Sequence, residues 1–297
     1  MRTPRWRLGV LLIGACGGGG GAPADGGPGG DAGPDVDAGT AATRVGEIRV
    51  VEQGERGFAW AKLAPDGLTI WQREVMNDGT CRLLAYQPAS CDEFCDGICV
   101  EHNVCAPWPT YVSAGTLTFS GLKEEVALSF GASYGYSSTD QQLGDLFDPG
   151  DPVTLVASGG EVPAFELAAS GTTPVVSESI VDDKLALANG SDATFRWTPA
   201  DAGARVRLTI NANNQGHGAP YAAILVCDAA DADGSLVIPR AMIEAFPATQ
   251  AWEFCAGSDC PPSSVLRYGR DTVTRDGGQI ELLVGSERLF GVEHPAP

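Results

Sequence analysis

Residues 204–211 read ARVRLTIN. Val206, Leu208 and Ile210 fall on one side of an extended chain, and Arg205, Arg207 and Thr209 fall on the other, because successive strand side chains alternate. This period of two predicts a half-buried β-strand. The same alternation recurs at 116–120 through Leu117 and Phe119, at 126–130 through Val126, Leu128 and Phe130, and at 194–198 through Phe195 and Trp197. Residues 221–227, YAAILVC, are almost wholly apolar, as a central strand covered on both faces would be. Residues 265–275 and 279–284 flank Asp276-Gly277-Gly278, a hairpin signal.

Turns recur about every 8–12 residues, the rhythm of a sandwich and not of alternating strand–helix units. The expected fold is all-β: an antiparallel β-sandwich, jelly-roll or Ig-like, with a disulfide-rich insert at 81–105 and one short helix. That helix is expected at 240–246, where Pro239 presets φ, Met242, Ile243 and Phe246 form a stripe, and Pro247 ends it. A weaker helical turn is expected at 140–146. No repeat of fixed period is evident, which argues against a propeller or solenoid.

The chain has 297 residues, with 19 Lys+Arg against 38 Asp+Glu, a net charge of −19. Nucleic-acid binders carry basic patches, and anionic headgroups repel so acidic a surface, so both partner classes are excluded as electrostatic targets.

The N-terminus reads MRTPRWRLGVLLIGAC. Arg2, Arg5 and Arg7 precede an apolar run from Leu8 to Ala15 that is too short to span a bilayer, as in an export signal. Ile13-Gly14-Ala15-Cys16 resembles the bacterial lipobox, with Ile13 where leucine is commoner. The resemblance implies a signal peptide (1–15) cut before Cys16, and a lipidated Cys16 carrying a diacylglyceryl thioether and an N-acyl chain such as palmitate. Loss of the three arginines would take the net charge to −22. Two acyl chains already anchor stably, so three would make attachment effectively permanent. Gly17 in place of aspartate resembles the enteric outer-membrane address, so the expected location is the cell envelope, at the outer membrane.

Residues 17–43 are rich in glycine, proline and aspartate, with Val36 the one large apolar residue. Such a tract buries nothing in return for ordering and would span roughly 30 Å root-mean-square. Together with Cys16 it forms an expected tether (16–43) ahead of an ectodomain at 44–297.

Nine cysteines are present, and removing Cys16 leaves eight, an even number that favours disulfides in an exported chain. Cys81, Cys91, Cys95, Cys99 and Cys105 cluster, while Cys227, Cys255 and Cys260 lie far away. Both sets are odd, so complete pairing requires a bond between them, with Cys227 the expected long-range partner and Cys255–Cys260 the expected local pair. The alternative is that Cys227 is a free buried thiol. The cluster with His102 also has zinc-like spacing, but it lacks the long arm between knuckles, and an oxidising compartment favours disulfides. No metal site is expected, and His102 reads as an exposed turn residue.

Gly131-Ala132-Ser133-Tyr134-Gly135 resembles the nucleophile elbow of α/β-hydrolases, but the helix and parallel sheet that the elbow needs are missing from the pattern. A turn serine is the expectation, with no catalytic residue in the chain. His217, in a Gly/Asn-rich turn, and His294, three residues from the C-terminus where chains fray, are poor bases on sequence grounds. The stretch 228–234, DAADADG, resembles part of an EF-hand loop but lacks its first and twelfth carboxylates. Other acidic loops (Asp145, Asp148 and Asp151; Asp182 and Asp183) leave calcium as the one cofactor to consider. Trp60, Trp71, Trp108, Trp197 and Trp252 are expected mainly in packing, with a sugar-stacking platform as the alternative.

The expected function is a non-catalytic, membrane-anchored envelope lipoprotein with a binding or structural role and a protein or glycan partner. The alternatives are an envelope hydrolase using Ser133, or a calcium-stabilised adhesion or carbohydrate-binding module. The lipobox makes a direct prediction. Cys16→Ser is expected to move the protein from the membrane pellet to the soluble fraction in detergent-free buffer, and unchanged sedimentation would refute the anchor.

Overall fold

The computed structural model describes residues 44–65, 68, 72–87, 89–138, 143–212, 222–249, 263–275 and 277–294. Its strands are β1 (Arg44–Gln53), β2 (Arg56–Leu63), β3 (Gln72–Asn77), β4 (Cys81–Tyr86), β5 (Ile98–Glu101) and β6 (Val104–Ala106). Then come β7 (Leu117–Ser120), β8 (Val126–Leu128), β9 (Tyr136–Ser137), β10 (Pro152–Ala157), β11 (Phe165–Ser170) and β12 (Lys184–Ala186). Last are β13 (Ala193–Arg196), β14 (Arg205–Asn211), β15 (Ala223–Ala230), β16 (Ser235–Ile238), the helix α1 (Arg240–Ala245), and the long strands β17 (Ser263–Arg275) and β18 (Gly278–Glu293).

The alternation read from ARVRLTIN is present in β14: Val206, Leu208 and Ile210 enter a core. β15 is buried from Ala223 to Asp228 and lies between β14 and β4, as a central strand should. β17 and β18 pair from Ser263↔Phe290 to Arg275↔Gly278. Gly277, at φ 81°, supplies the positive φ that the tight connection requires. Both strands run further than the sequence pattern marks, because β18 continues past Val284 to Glu293.

Among the described residues the large sheet runs β3-β4-β15-β14-β17-β18-β1-β2-β9, with β12 added on β18. The described pairings are antiparallel except β1–β18 and β12–β18, which are parallel. Those two seams join strands distant in sequence, where a hairpin cannot set the direction.

The even-numbered residues of β18 carry two cores on one face of this sheet. Ile280, Leu282 and Val284 join β1, β2 and the facing sheet β11-β10-β7-β8 in the first core. Phe290 and Val292 join β14, β15, the ribbon β13–β16 and α1 in the second. α1 buries Met242 and Ile243, with Phe246 buried just beyond its end. The other expected helical turn is not formed at its described end: Leu143 bridges Gly57 and the chain to Leu146 is loop, while 140–142 lie outside the described residues.

Between the cores, Ser286 and Arg267 stand opposite each other. The Ser286 hydroxyl donates to Thr172 O at 2.7 Å, and the Thr172 hydroxyl donates to Arg267 O at 2.8 Å. Arg267 is buried; its Nε donates to Asp231 Oδ1 at 2.9 Å, its Nη1 to the carbonyls of Thr173 and Pro174, and its Nη2 to Thr198 O. Next to it, Gly269 lets the end of β11 pass close, since a Cβ there would lie 2.7 Å from Ser170 O.

The bond Cys81–Cys227 joins β4 to β15 across 146 residues, within the second core. It links the cysteine cluster to the C-terminal part, and Cys227 is therefore not a free thiol. Cys91–Cys99 and Cys95–Cys105 staple the β5–β6 ribbon. The expected pair Cys255–Cys260 lies outside the described residues.

Removing one partner of a buried ion pair strands the other, at a cost of about 3–5 kcal/mol. Arg267→Ala is therefore expected to lower the unfolding free energy in urea by that much. The exposed Arg196→Ala should change it by less than about 1 kcal/mol. Equal effects would refute the central role of Arg267.

Candidate functional site

The stapled ribbon projects many exposed side chains. Asn103 takes φ 59° at its turn, and its side chain bonds back to Asp92: Asp92 N donates to Asn103 Oδ1 at 2.7 Å, and Asn103 Nδ2 donates to Asp92 Oδ2 at 2.9 Å. Asn103 N also reaches Ser90 O at 3.1 Å. Arg73 on β3 pairs with Glu101 at 3.3 Å and ties the ribbon to the large sheet. Phe94, in the segment between Cys91 and Cys95, is 93% exposed. His102 lies in the exposed turn, as expected, and the four cysteines around it are in disulfides rather than thiolate form.

Ser133 is exposed at a tight turn closed by Gly131 and Gly135, which exchange backbone bonds of 2.7 and 2.8 Å. A strand, β9, follows it rather than a helix. His217 lies outside the described residues. His294 differs from expectation: it is buried, not frayed, because Thr249 and His294 form a bridge, Leu187 O lies 3.1 Å from its Nδ1, and Phe246 meets its ring edge-on. Its surroundings belong to the second core, while Ser133 adjoins the first.

The acidic loops hold cations of the protein's own. Lys123 Nζ bridges Asp145 at 2.5 Å and Asp148 at 2.7 Å. Those two hydrogen bonds raise the lysine above its ordinary value, and the bond from Lys123 lowers Asp145. Asp183 pairs with Arg288 at 2.9 Å, and both Asp182 and Asp183 take positive φ at a turn. In the DAADADG stretch, Asp231 accepts from Arg267 and from the amides of Ala200 and Asp201, while Asp228 accepts from Arg205, Arg207 and the Tyr268 hydroxyl. These carboxylates are structural anchors. Among the described residues no cluster of three or more His, Cys, Asp or Glu is placed to hold a metal ion.

Sequence reasoning missed how far charge is buried on the large sheet's second face. Arg207 was expected on a solvated side, yet it is buried, in register opposite Asp228 and stacked 4.9 Å from the Tyr268 ring centroid. On β1, Glu47 lies against Arg49 and against Arg44 at 2.8 Å; on β18, Glu281 contacts Arg44 and Arg270. Burial alone would push Glu47 up, but Arg49, then Arg44 and Arg207, outweigh it and hold it below the ordinary carboxylate range. The signal available in the sequence was charge at alternate positions of otherwise apolar strands, Glu47 and Arg49 on β1 and Arg205 and Arg207 on β14.

Trp60 stacks under Arg49 at 5.2 Å, Trp197 is buried and donates to Asp231 O, and Trp108 is half exposed; Trp71 and Trp252 lie outside the described residues, as does Cys16. A surface hollow of about 430 Å³ is lined by Asp78, Thr80, Ala229, Asp233 and Ser235–Val237.

These features define an all-β sandwich protein with a disulfide-stapled insert. No protein family and no curated protein matches the chain. Among solved structures it is similar to the FN1–FN3 domains of chicken CNTN1 at 10% identity, over 86% of this chain and 69% of that one, with a TM-score of 0.19. A similarity that low carries no argument, so the fold class rests on the strands and their pairings.

Glu52 offers a test of local electrostatics. It accepts from the amides of Leu146 at 2.5 Å and Phe147 at 3.1 Å. Burial, aided by nearby Asp145 and opposed by those amides, raises its carboxyl above the ordinary 4.5. Its folded form keeps a proton that the unfolded chain releases, so this contribution is present at acid pH and is lost as pH rises through the folded value. Glu47 has the opposite sign: its contribution is present above the ordinary value and is lost as pH falls through the lowered one. Glu52→Gln mimics the protonated state. Its melting temperature is expected to gain on wild type as pH rises through and beyond the ordinary carboxylate range; a difference independent of pH would refute the assignment.

Proposed function

We propose that this protein is a lipid-anchored cell-envelope lipoprotein, held at the outer membrane through Cys16, whose ectodomain binds or scaffolds and does not catalyse. The lipobox and the glycine-rich tract behind it support the anchor, and the sandwich supports a rigid display platform.

The observation that carries the non-catalytic half is the placement of Ser133. An acyl-transfer nucleophile needs a base within hydrogen-bond reach and donors facing the developing oxyanion. Ser133 sits on a solvent-exposed turn whose Gly131 and Gly135 amides are engaged across the turn itself. The strand after it supplies no helix N-terminus, and His294 is enclosed in the other core.

A fluorophosphonate probe is the test. No covalent labelling of Ser133 is expected, and intact mass should be unchanged after incubation. Labelling that disappears in Ser133→Ala, with the fold retained, would overturn the proposal in favour of a hydrolase.

A further inference from the structure

Phe94 is the most exposed large apolar side chain among the described residues. An exposed phenylalanine is unfavourable in water, yet this one is displayed on a scaffold that cannot fold it inward. Cys91 and Cys95, on either side of it, are each bonded into the β5–β6 ribbon, and the Asp92–Asn103 bonds fix the loop further. Rigid presentation of an aromatic lowers the ordering cost of binding and places a hot-spot residue in advance.

The surround of that aromatic has one sign of charge. Asp92, Glu93, Asp96 and Glu101 lie between Cys91 and Cys105, with no lysine or arginine in that interval. All four are exposed. The only ion pair recorded between one of these carboxylates and a lysine or arginine among the described residues is the Arg73–Glu101 pair.

We propose that residues 91–105 form a docking plug: Phe94 enters an apolar pocket on a protein partner, and lysines and arginines around that pocket face Glu93 and Asp96. This inference rests on the binding role proposed above and names the partner's chemistry. Opposite potentials across such a rim favour encounter and correct register. The same carboxylates are repelled by an anionic membrane surface and by a second copy of a chain whose net charge is −19.

The test uses the full-length chain in the cells that make it, with a benzophenone amino acid placed at position 94 and, in separate variants, at the exposed positions 134 and 181. Irradiation at 94 is expected to give one protein adduct whose crosslinked segment is apolar and flanked by lysine or arginine. Glu93→Lys combined with Asp96→Lys should lower its yield about tenfold, in keeping with lost electrostatic steering. A thermal melt confirms that the double variant folds, and a salt titration of the unsubstituted surround gives the same reading if it does not. A lipid, glycan or self adduct, no adduct at 94, or a yield indifferent to both charge reversal and salt would each overturn the plug. Adducts at 134 or 181 with none at 94 would overturn it while leaving the binding role standing. Phosphonate labelling of Ser133 would remove that role itself.

Discussion

Arg267 and Asp231 meet where almost no water reaches either side chain. Separately, each charge would cost several kcal/mol to bury. Together they are tolerated because their remaining hydrogen-bonding directions are also filled. The guanidinium reaches the carbonyls of Thr173, Pro174 and Thr198, and the carboxylate takes the amides of Ala200 and Asp201. One side chain thereby pulls three separate segments onto β17 at the point where β18 passes from one core to the other. A planar, forked cation suits that geometry; a lysine ammonium could not satisfy the same spread of acceptors.

The second face of the large sheet extends the same logic from a joint to a surface. Arg207 lies directly across from Asp228, so the pair is also a register mark between β14 and β15. A slip of one residue would turn Asp228 toward the second core and Cys227 away from Cys81. Hydrophobic residues alone would discriminate less sharply here, because β15 is apolar on both faces. Buried ion pairs are weak sources of net stability, but a mispaired one is costly, and that asymmetry favours a single alignment.

Much of this was legible in the sequence because period-two patterning and glycine turns report local geometry. Val206, Leu208 and Ile210, the Gly277 turn and the short helix after Pro239 could be read without knowing the partners. The parity of the cysteines, if all eight pair, also called for a bond between distant parts of the chain, and Cys81–Cys227 is such a bond. What could not be read were properties that exist only after assembly. Arg207 resembles any solvated arginine until its neighbours close around it. His294 resembles a fraying end until Thr249 bridges it. The parallel seam between β1 and β18 has no local signature, since nothing near Ile48 announces Leu282. The exposure of Phe94 likewise has no local signature; only the ribbon's projection leaves it bare.

The placement of β18 has a consequence for the order in which the molecule can be made. This strand contributes to both cores, and it is the last to leave the ribosome among those described. Neither core can be completed while it is missing, and β1, β12 and β17 each lack a sheet partner until it is made. The contacts of β1 with β18 span most of the chain, and long-range closure of this kind slows folding and leaves strand edges open for longer. Cleavage within 278–293 would therefore open both halves together rather than shedding one, and the protein should behave as a single cooperative unit despite its two cores.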